Sequence, residues 1–189
     1  MRRHRLIKNL IELDAGFSIR SLAETDLEKF VCDEKLLSFF HEDAQDTEDE
    51  LIAKIYFLHH ENIQEPLVGF CVSNSAIQAT NDLNMTLPDN VHHKSYPAVL
   101  LGKLATHSRY TGKKYGQWVI EFLKIWFITQ NKTGCRYLVA DSLPDAVGFY
   151  AKCGFDEFPV QKSSKTKLMV FDLKAYELTI RYGQEGKKR

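Results

Sequence analysis

The sequence predicts a mixed α/β fold with a locally parallel pair of strands, and three stretches predict it. The run Ala98-Val99-Leu100-Leu101, continued through Gly102, Lys103, Leu104 and Ala105, is apolar on successive residues, as a strand buried on both faces requires. Tyr115 to Gln130 places Val119, Phe122, Leu123 and Trp126 on one helical face, which Trp118, Ile125 and Phe127 widen. Arg136-Tyr137-Leu138-Val139-Ala140 is a second apolar strand. A strand–helix–strand crossover of this kind lays its two strands side by side in parallel.

The elements before the crossover follow from local pattern. Phe17-Ser18-Ile19-Arg20 alternates and reads as a first strand, and in Glu24-Thr25-Asp26-Leu27 either Thr25 or Asp26 is placed to cap a short helix. From Asp33 to His60 the spacing is helical. Leu36, Leu37, Phe39 and Phe40 form one apolar cluster; Leu51, Ile52, Ile55, Tyr56 and Leu58 form a second. The acidic run between them carries Thr47 with Glu50 three residues on, the spacing of a capping box, so two helices on either side of 42–47 are expected. Pro66 to Val72 is a strand, with Ile77 in its continuation or on a return. Residues 80–96 are polar and form a loop of the length that borders binding sites.

After the crossover helix, Asn131-Lys132-Thr133-Gly134 is a stop signal. Pro144-Asp145 opens a short helix through Phe149, Tyr150 and Lys152 that ends at Gly154, and Phe155 to Val160 and Lys167 to Leu173 are the last two strands. Residues 1–15 read as a basic lead-in, 16–175 as a single domain and 176–189 as a tail.

Composition narrows the class. A chain of 189 residues, 44% hydrophobic and 12% aromatic, buries a substantial core and is not a disordered segment. The 25 basic and 25 acidic side chains balance, yet they cluster: six of the nine residues from Glu42 to Glu50 are acidic, and Arg2, Arg3, Arg5 and Lys8 at one end and Lys187, Lys188 and Arg189 at the other are basic. Such runs neither require nor exclude nucleic acid. Cys32, Cys71, Cys135 and Cys153 show no CxxC spacing and sit in apolar contexts, the pattern of reduced core thiols. No window approaches the roughly 18 apolar residues of a membrane span. The basic N-terminus lacks an apolar signal region, so a cytoplasmic location is expected. The pairs His59-His60 and His92-His93 lack a third ligand at metal spacing, and no metal site is expected.

Chemistry concentrates between the central strand and its helix. Thr106-His107-Ser108-Arg109 turns polar, and the loop holds Gly112, Lys113, Lys114 and Gly116. A strand, a short Gly/Lys loop and a helix aim backbone N–H groups and a positive helix end at a phosphate, so a phosphate-bearing ligand is expected. The G-x-G-x-x-G that a dinucleotide fold needs after an early strand is absent.

The phrases LGKLATHSRYTGKKYGQ, a long helix, YLVADS and then AVGFYAKCGF resemble the GNAT superfamily of acyl-CoA-dependent N-acetyltransferases, from roughly Phe17 to Leu173. Within it, LGKLATHSRYTGKKYG, the upstream FVCDEKLLSFFHEDA and FYAKCGF are most similar to the branch of acetyltransferase toxins from bacterial toxin–antitoxin modules. Members of that branch acetylate the amine of aminoacyl-tRNA and are neutralised by a small ribbon–helix–helix antitoxin. The resemblance implies a mostly antiparallel central sheet of about six to seven strands flanked by helices, with the parallel pair at its centre.

It also implies a site. The pantetheine arm of acetyl-CoA pairs with the backbone of the fourth strand, here Leu104, Ala105 and Thr106. The pyrophosphate loop, usually Gln/Arg-x-x-Gly-x-Gly/Ala, reads Thr111-Gly112-Lys113-Lys114-Tyr115-Gly116 here, with Gln117 following. Thr111 stands at the usual Gln/Arg and Lys114 at the usual first glycine. Lys114 fits such a loop if its φ stays negative or strain is accepted, and its charge suits a pyrophosphate. Ser142 matches a residue that contacts the cofactor arm. Tyr150 matches the general acid for the leaving thiolate, a role that a phenol of pKa about 10 suits; on residue type alone it is an aromatic packed between helix and sheet.

His107, Asp141 and Glu121 remain candidates for a general base, although an α-amino acceptor, titrating near ~7.7–8.0, needs little help. Arg109 with Lys162, Lys165 and Lys167 forms either a positive rim for RNA phosphates or a solvated strand end. Cys153 has no His/Asp partner in sequence and is not read as a nucleophile. Trp118 and Trp126 are expected in the core. The expected partners are an amine acceptor, aminoacyl-tRNA on the branch reading, a ribbon–helix–helix antitoxin and a second copy of the chain. The alternatives are a small-amine or protein N-acetyltransferase and a non-catalytic acyl-CoA-binding module.

Overall fold

A computed structural model describes residues 16–80, 93–129, 134–158 and 165–185. The first strand, Phe17–Ser21 (β1), alternates half-buried and exposed residues. Ser21 then opens a turn: its N–H and its hydroxyl both donate to the Glu24 carboxylate, at 2.9 and 2.7 Å. Neither Thr25 nor Asp26 caps by its side chain; Asp26 merely precedes a second 3₁₀ turn, Leu27–Lys29. Three consecutive stretches, Glu34–Ser38, Phe39–Asp43 and Ala44–Asp49, form one helical segment (α1) with a π-helical middle. Asp33 caps it by accepting from the Lys35 N–H at 3.0 Å.

This corrects the expectation of two helices around 42–47. Those residues lie inside α1, and the Thr47 hydroxyl donates to the Asp43 carbonyl at 2.7 Å instead of capping a new helix. The segment ends at Leu51, whose φ is 58°. The chain then continues as a strand, Lys54–His60 (β2). Its neighbours Phe57 and Leu58 point to opposite faces and both are fully buried. A strand covered on both faces has no period-two signature, so its apolar residues also satisfied a helical spacing.

Ile63–Gln78 (β3) is one long strand, and Ile77 belongs to its continuation. Ser95–Thr106 (β4), Tyr115–Thr129 (α2) and Tyr137–Ser142 (β5) are the expected crossover. Val147–Lys152 (α3), Asp156–Glu157 (β6) and Lys167–Asp172 (β7) follow. The strand expected to Val160 is described only as those two residues. Residues 159–164 lie outside the described part, as do the lead-in 1–15, most of the polar loop with His92, and the stop residues 131–133. Leu173–Glu185 (α4) is a single helix, so the tail expected from 176 begins inside it. Asp172 starts that helix by accepting from the Ala175 N–H at 2.8 Å.

The seven strands form one sheet in the order β1-β2-β3-β4-β5-β7-β6. β1 with β2, β2 with β3, β5 with β7 and β6 with β7 are antiparallel. β4 and β5 are the parallel pair, in the register Ala98 to Tyr137, Val99 to Leu138 and Leu100 to Val139. The fold class expected from sequence is thus the one observed.

The described residues form two compact units: those up to 73 with 101–129, and those of 74–100 with the residues from 130 on. In the first unit, the rings of Phe30, Phe40 and Phe57 meet at centroid distances of 5.2, 5.1 and 5.6 Å and are joined by Leu22, Cys32, Ala44, Ile55, Cys71 and Ala105. Gly69 on β3 makes room for them, since a Cβ there would stand 2.8 Å from both Phe40 and Phe57. Along α2, Val119, Ile120 and Leu123 are fully buried. Trp118 and Trp126, expected in the core, are half-buried and flank Phe122 in an aromatic row, with Trp118 stacked on Phe122 at 5.7 Å. The second unit packs Ile77, Tyr96, Ala98, Tyr137, Val139 and Val170 together. No described helix is long and apolar enough to cross a membrane.

Candidate active site

In the first unit, the end of β4 leads into the loop and then into α2. Leu104 and Thr106 are half-buried on one face, while Ala105 points into the aromatic core. A 3₁₀ turn, Ser108–Tyr110, comes next and is tied down at several points. The His107 N–H donates to the Leu67 carbonyl at 2.9 Å and the Ser108 N–H to the Val31 carbonyl at 2.8 Å. The Arg109 N–H donates to His107 Nδ1 at 3.1 Å, so that nitrogen carries no proton, and the Nε2–H donates to the Lys29 carbonyl at 3.2 Å. With both ring nitrogens engaged and the residue only 3% exposed, His107 is a structural part of the turn and not a base.

Residues Thr111 to Lys114 are all exposed. Gly112 adopts φ 79°, and a Cβ there would meet nothing within 4 Å, so the position requires glycine for its backbone and not for space. Lys114 has φ 65°: of the two ways in which a lysine could occupy this loop, the chain takes the strained one. Its carbonyl accepts the first helical hydrogen bond, from the Trp118 N–H at 3.0 Å. By helical geometry, the N–H groups of Tyr115, Gly116 and Gln117 therefore have no partner inside α2, and they sit at the positive end of a 15-residue helix. The expected loop residues Thr111 to Gln117 are thus gathered with Leu104 to Thr106 in one unit.

Glu65, on β3, is a member of this region that no motif signalled. Its carboxylate accepts from the Tyr110 hydroxyl at 3.1 Å and is ion-paired with the Arg109 guanidinium. Its carboxyl is held below the usual carboxylate value, first by its own backbone N–H and next by the Tyr110 hydroxyl. Arg109, expected as part of an RNA-facing rim, therefore already has an anionic partner. The same holds for Lys167, paired with Glu157 at 2.7 Å. Lys165 is exposed, and Lys162 lies outside the described residues. Glu121, a candidate base, is ion-paired at 2.6 Å with the buried Lys124.

In the second unit, Tyr150 is buried on α3. Its ring lies 5.2 Å from Phe149 and 5.5 Å from Phe155, edge to face in both cases. The F-Y-x-x-x-G-F phrase thus has a packing reason of its own: Phe155 packs on Tyr150, and the chain reverses through Gly154 at φ 80°. Ser142 ends β5, is buried, and donates its hydroxyl to the Leu143 carbonyl at 2.9 Å. Asp141 beside it is exposed. Burial pushes the Cys32 and Cys135 thiols up to about 11, so neither is an activated nucleophile.

A mixed seven-stranded sheet with a central parallel pair thus carries a lysine–glycine loop between one strand of that pair and a helix N-terminus, an arrangement that suits an anionic ligand. The profile of the acetyltransferase (GNAT) domain matches residues 53–157, more than half of the chain, and the protein belongs to this family of acetyltransferases, whose cosubstrate is acetyl-CoA. No curated protein sequence matches it. Solved structures share the fold. AtaT complexed with acetyl-methionyl-tRNAfMet is similar at a TM-score of 0.70 and 22% identity, over 87% of this chain and 99% of that one. A tyrosine-to-phenylalanine variant of KacT is similar at 0.69 and 22%, over 86% and 98%. An AtaT variant toxin bound to the C-terminus of the antitoxin AtaR and acetyl-CoA is similar at 0.66 and 22%, over 86% and 96%.

Proposed function

We propose that this acetyltransferase moves the acetyl group of acetyl-CoA directly onto the α-amino group of an aminoacyl-tRNA, in the manner of a toxin. The observation that carries the cofactor site is the loop at 111–117. A left-handed Gly112 with open space at its Cβ position is followed by two exposed lysines and three N–H groups without intrahelical partners, a set of donors and charges that suits a pyrophosphate. Lys113, Lys114 and the N–H groups of Tyr115, Gly116 and Gln117 would hold it. The backbone of Leu104, Ala105 and Thr106 would pair with the pantetheine arm, and Ser142 would contact that arm. The bound cosubstrate supplies an acetyl thioester.

The chain's own residues have a short task. An α-amino group is largely neutral just above its pKa of about 7.7–8.0 and attacks without a strong base. As the N–C bond forms and the C–S bond breaks, the Tyr150 hydroxyl would give its proton to the leaving thiolate, and the proton shed by the attacking nitrogen would pass through solvent to restore the phenol. Phe149 and Phe155, packed edge to face on its ring, would hold the phenol in place. The likeness to the tRNA-bound AtaT supports the acceptor, and the AtaT–AtaR complex supports an antitoxin partner, here a ribbon–helix–helix protein. A cytoplasmic location and a homodimer complete this reading.

One observation favours a second reading, an N-acetyltransferase for a small amine or a protein. Arg109 and Lys167, two cations of the expected RNA rim, are neutralised by Glu65 and Glu157. Expression of the chain alone separates the two. On the first reading growth stops, and Tyr150→Phe relieves the arrest; normal growth at good expression leaves the second.

A further inference from the structure

We propose that Glu65 is a positioning residue for acetyl-CoA: by holding Arg109 and Tyr110 on β3, it fixes both ends of the loop at 111–114. The inference rests on reading that loop as the cofactor site.

A carboxylate is the wrong sign to place beside a pyrophosphate, and Glu65 is ionised at neutral pH. Its position makes sense through what it engages. One oxygen accepts from the Tyr110 hydroxyl at 3.1 Å, and the other pairs with Arg109. The Glu65 side chain is 22% exposed and its bond with Tyr110 is partly withdrawn from water, whereas the Arg109 side chain is 69% exposed and that pair stands in solvent.

Tyr110 reaches both ends of the loop. Its carbonyl accepts from the Lys113 N–H at 3.2 Å, which sets the first bend. Its ring lies 6.2 Å from that of Tyr115, the first residue of α2, at 70°. Tyr115 in turn packs on Phe17 at 5.8 Å. Between these ends, Thr111, Gly112, Lys113 and Lys114 are exposed and contribute nothing to the core. A segment with no buried side chain takes its geometry from its anchors. The preceding anchors, His107 and Ser108, bind the turn by backbone groups that no side-chain change at Glu65 removes. The Tyr110 ring also packs on that of His107 at 5.3 Å, and the Glu65–Tyr110 bond sets where its hydroxyl end lies along the aromatic bridge to α2.

The test is calorimetric titration of the full chain with acetyl-CoA, with a thermal melt of each variant. Glu65→Ala should weaken binding about threefold to tenfold, the loss of one partly buried hydrogen bond with a charged acceptor, at a melting temperature close to that of the unaltered chain. Glu65→Gln keeps an acceptor for the Tyr110 hydroxyl and should recover most of that loss. Tyr110→Phe should weaken binding alone, yet add nothing on top of Glu65→Ala. If Glu65→Ala does not fold, Glu65→Gln and Tyr110→Phe still decide, because the second must weaken binding and the first must not. Binding by Glu65→Ala as tight as, or tighter than, that of the unaltered chain overturns the inference, since Glu65 then only masks Arg109. Full additivity of the two substitutions also overturns it. If the unaltered chain itself does not bind acetyl-CoA, the reading of the loop fails, and this inference with it.

Discussion

Lys114→Gly should move stability and cofactor affinity in opposite directions. Lys114 holds φ 65°, a left-handed conformation that costs an L-residue about 1–2 kcal/mol. Glycine removes that cost but gives the unfolded chain more freedom, worth about 0.4–1 kcal/mol against folding. The net expectation is a gain of about 0.5–1 kcal/mol, or a melting temperature higher by about 1–4 °C for a chain of this size. Lys114 is exposed, so its charge beside a pyrophosphate is screened, and its loss should weaken acetyl-CoA binding by roughly threefold. Lys114→Ala separates the two effects: it keeps the left-handed cost and loses the charge, so stability stays level while affinity falls as for glycine. Denaturant melts and calorimetry on the three proteins read both quantities. Lower or unchanged stability in Lys114→Gly refutes the strain argument. Affinity unchanged in both variants refutes the role of the charge.

Three further outcomes are expected. Tyr150→Phe should lower kcat by about a hundredfold to ten-thousandfold, the range for a lost general acid, with acetyl-CoA affinity unchanged; a loss of affinity instead would make Tyr150 a packing residue. Gly69→Ala should destabilise by about 1–3 kcal/mol in urea melts, because its Cβ would stand 2.8 Å from two core rings, whereas Gly112→Ala, with open space around it, should cost about 1 kcal/mol from its φ alone. His59 is held down to about 4, by burial first and by Arg20 second, while an unfolded histidine titrates near 6.5. The unfolded chain then binds the extra proton in that window, so this residue's contribution to stability is present above pH about 6.5 and is lost as pH falls toward about 4. His59→Gln should flatten the slope between those values; an unchanged slope removes His59 as its source.

The crossover was legible because three signals coincide there: a strand apolar on every residue, a long amphipathic helix, and a glycine–lysine loop between them. The stretch from 51 to 60 was not. Leu51 ends α1 in the left-handed region without the glycine or asparagine that marks such an end, so the helical pattern had no visible stop. β2 then buries both faces, and Leu51, Ile52, Ile55, Tyr56 and Leu58 fit a helix as well as they fit a strand. α4 was missed because its half-buried face, with Tyr176, Glu177 and Ile180, is short and carries a charge, and its sequence is otherwise largely polar. In the site, the loop and the strand before it could be read from local sequence, as could the aromatic phrase around Tyr150. Glu65 could not, since its partners lie 44 and 45 residues away and an isolated glutamate in a strand carries no motif. His107 as a turn anchor likewise rests on the Lys29 carbonyl, 78 residues distant.

The most direct measurement follows the acetyl group. The protein is incubated with acetyl-labelled acetyl-CoA and a mixture of charged tRNAs, with deacylated tRNA and free amino acids as parallel acceptors, and label and free CoA thiol are counted together. Label in the charged tRNA, released by mild base with the aminoacyl ester and matched by an equal yield of thiol, is the expected result, together with its loss in Tyr150→Phe. Thiol release with label on a small amine or on protein, and none on charged tRNA, would contradict it.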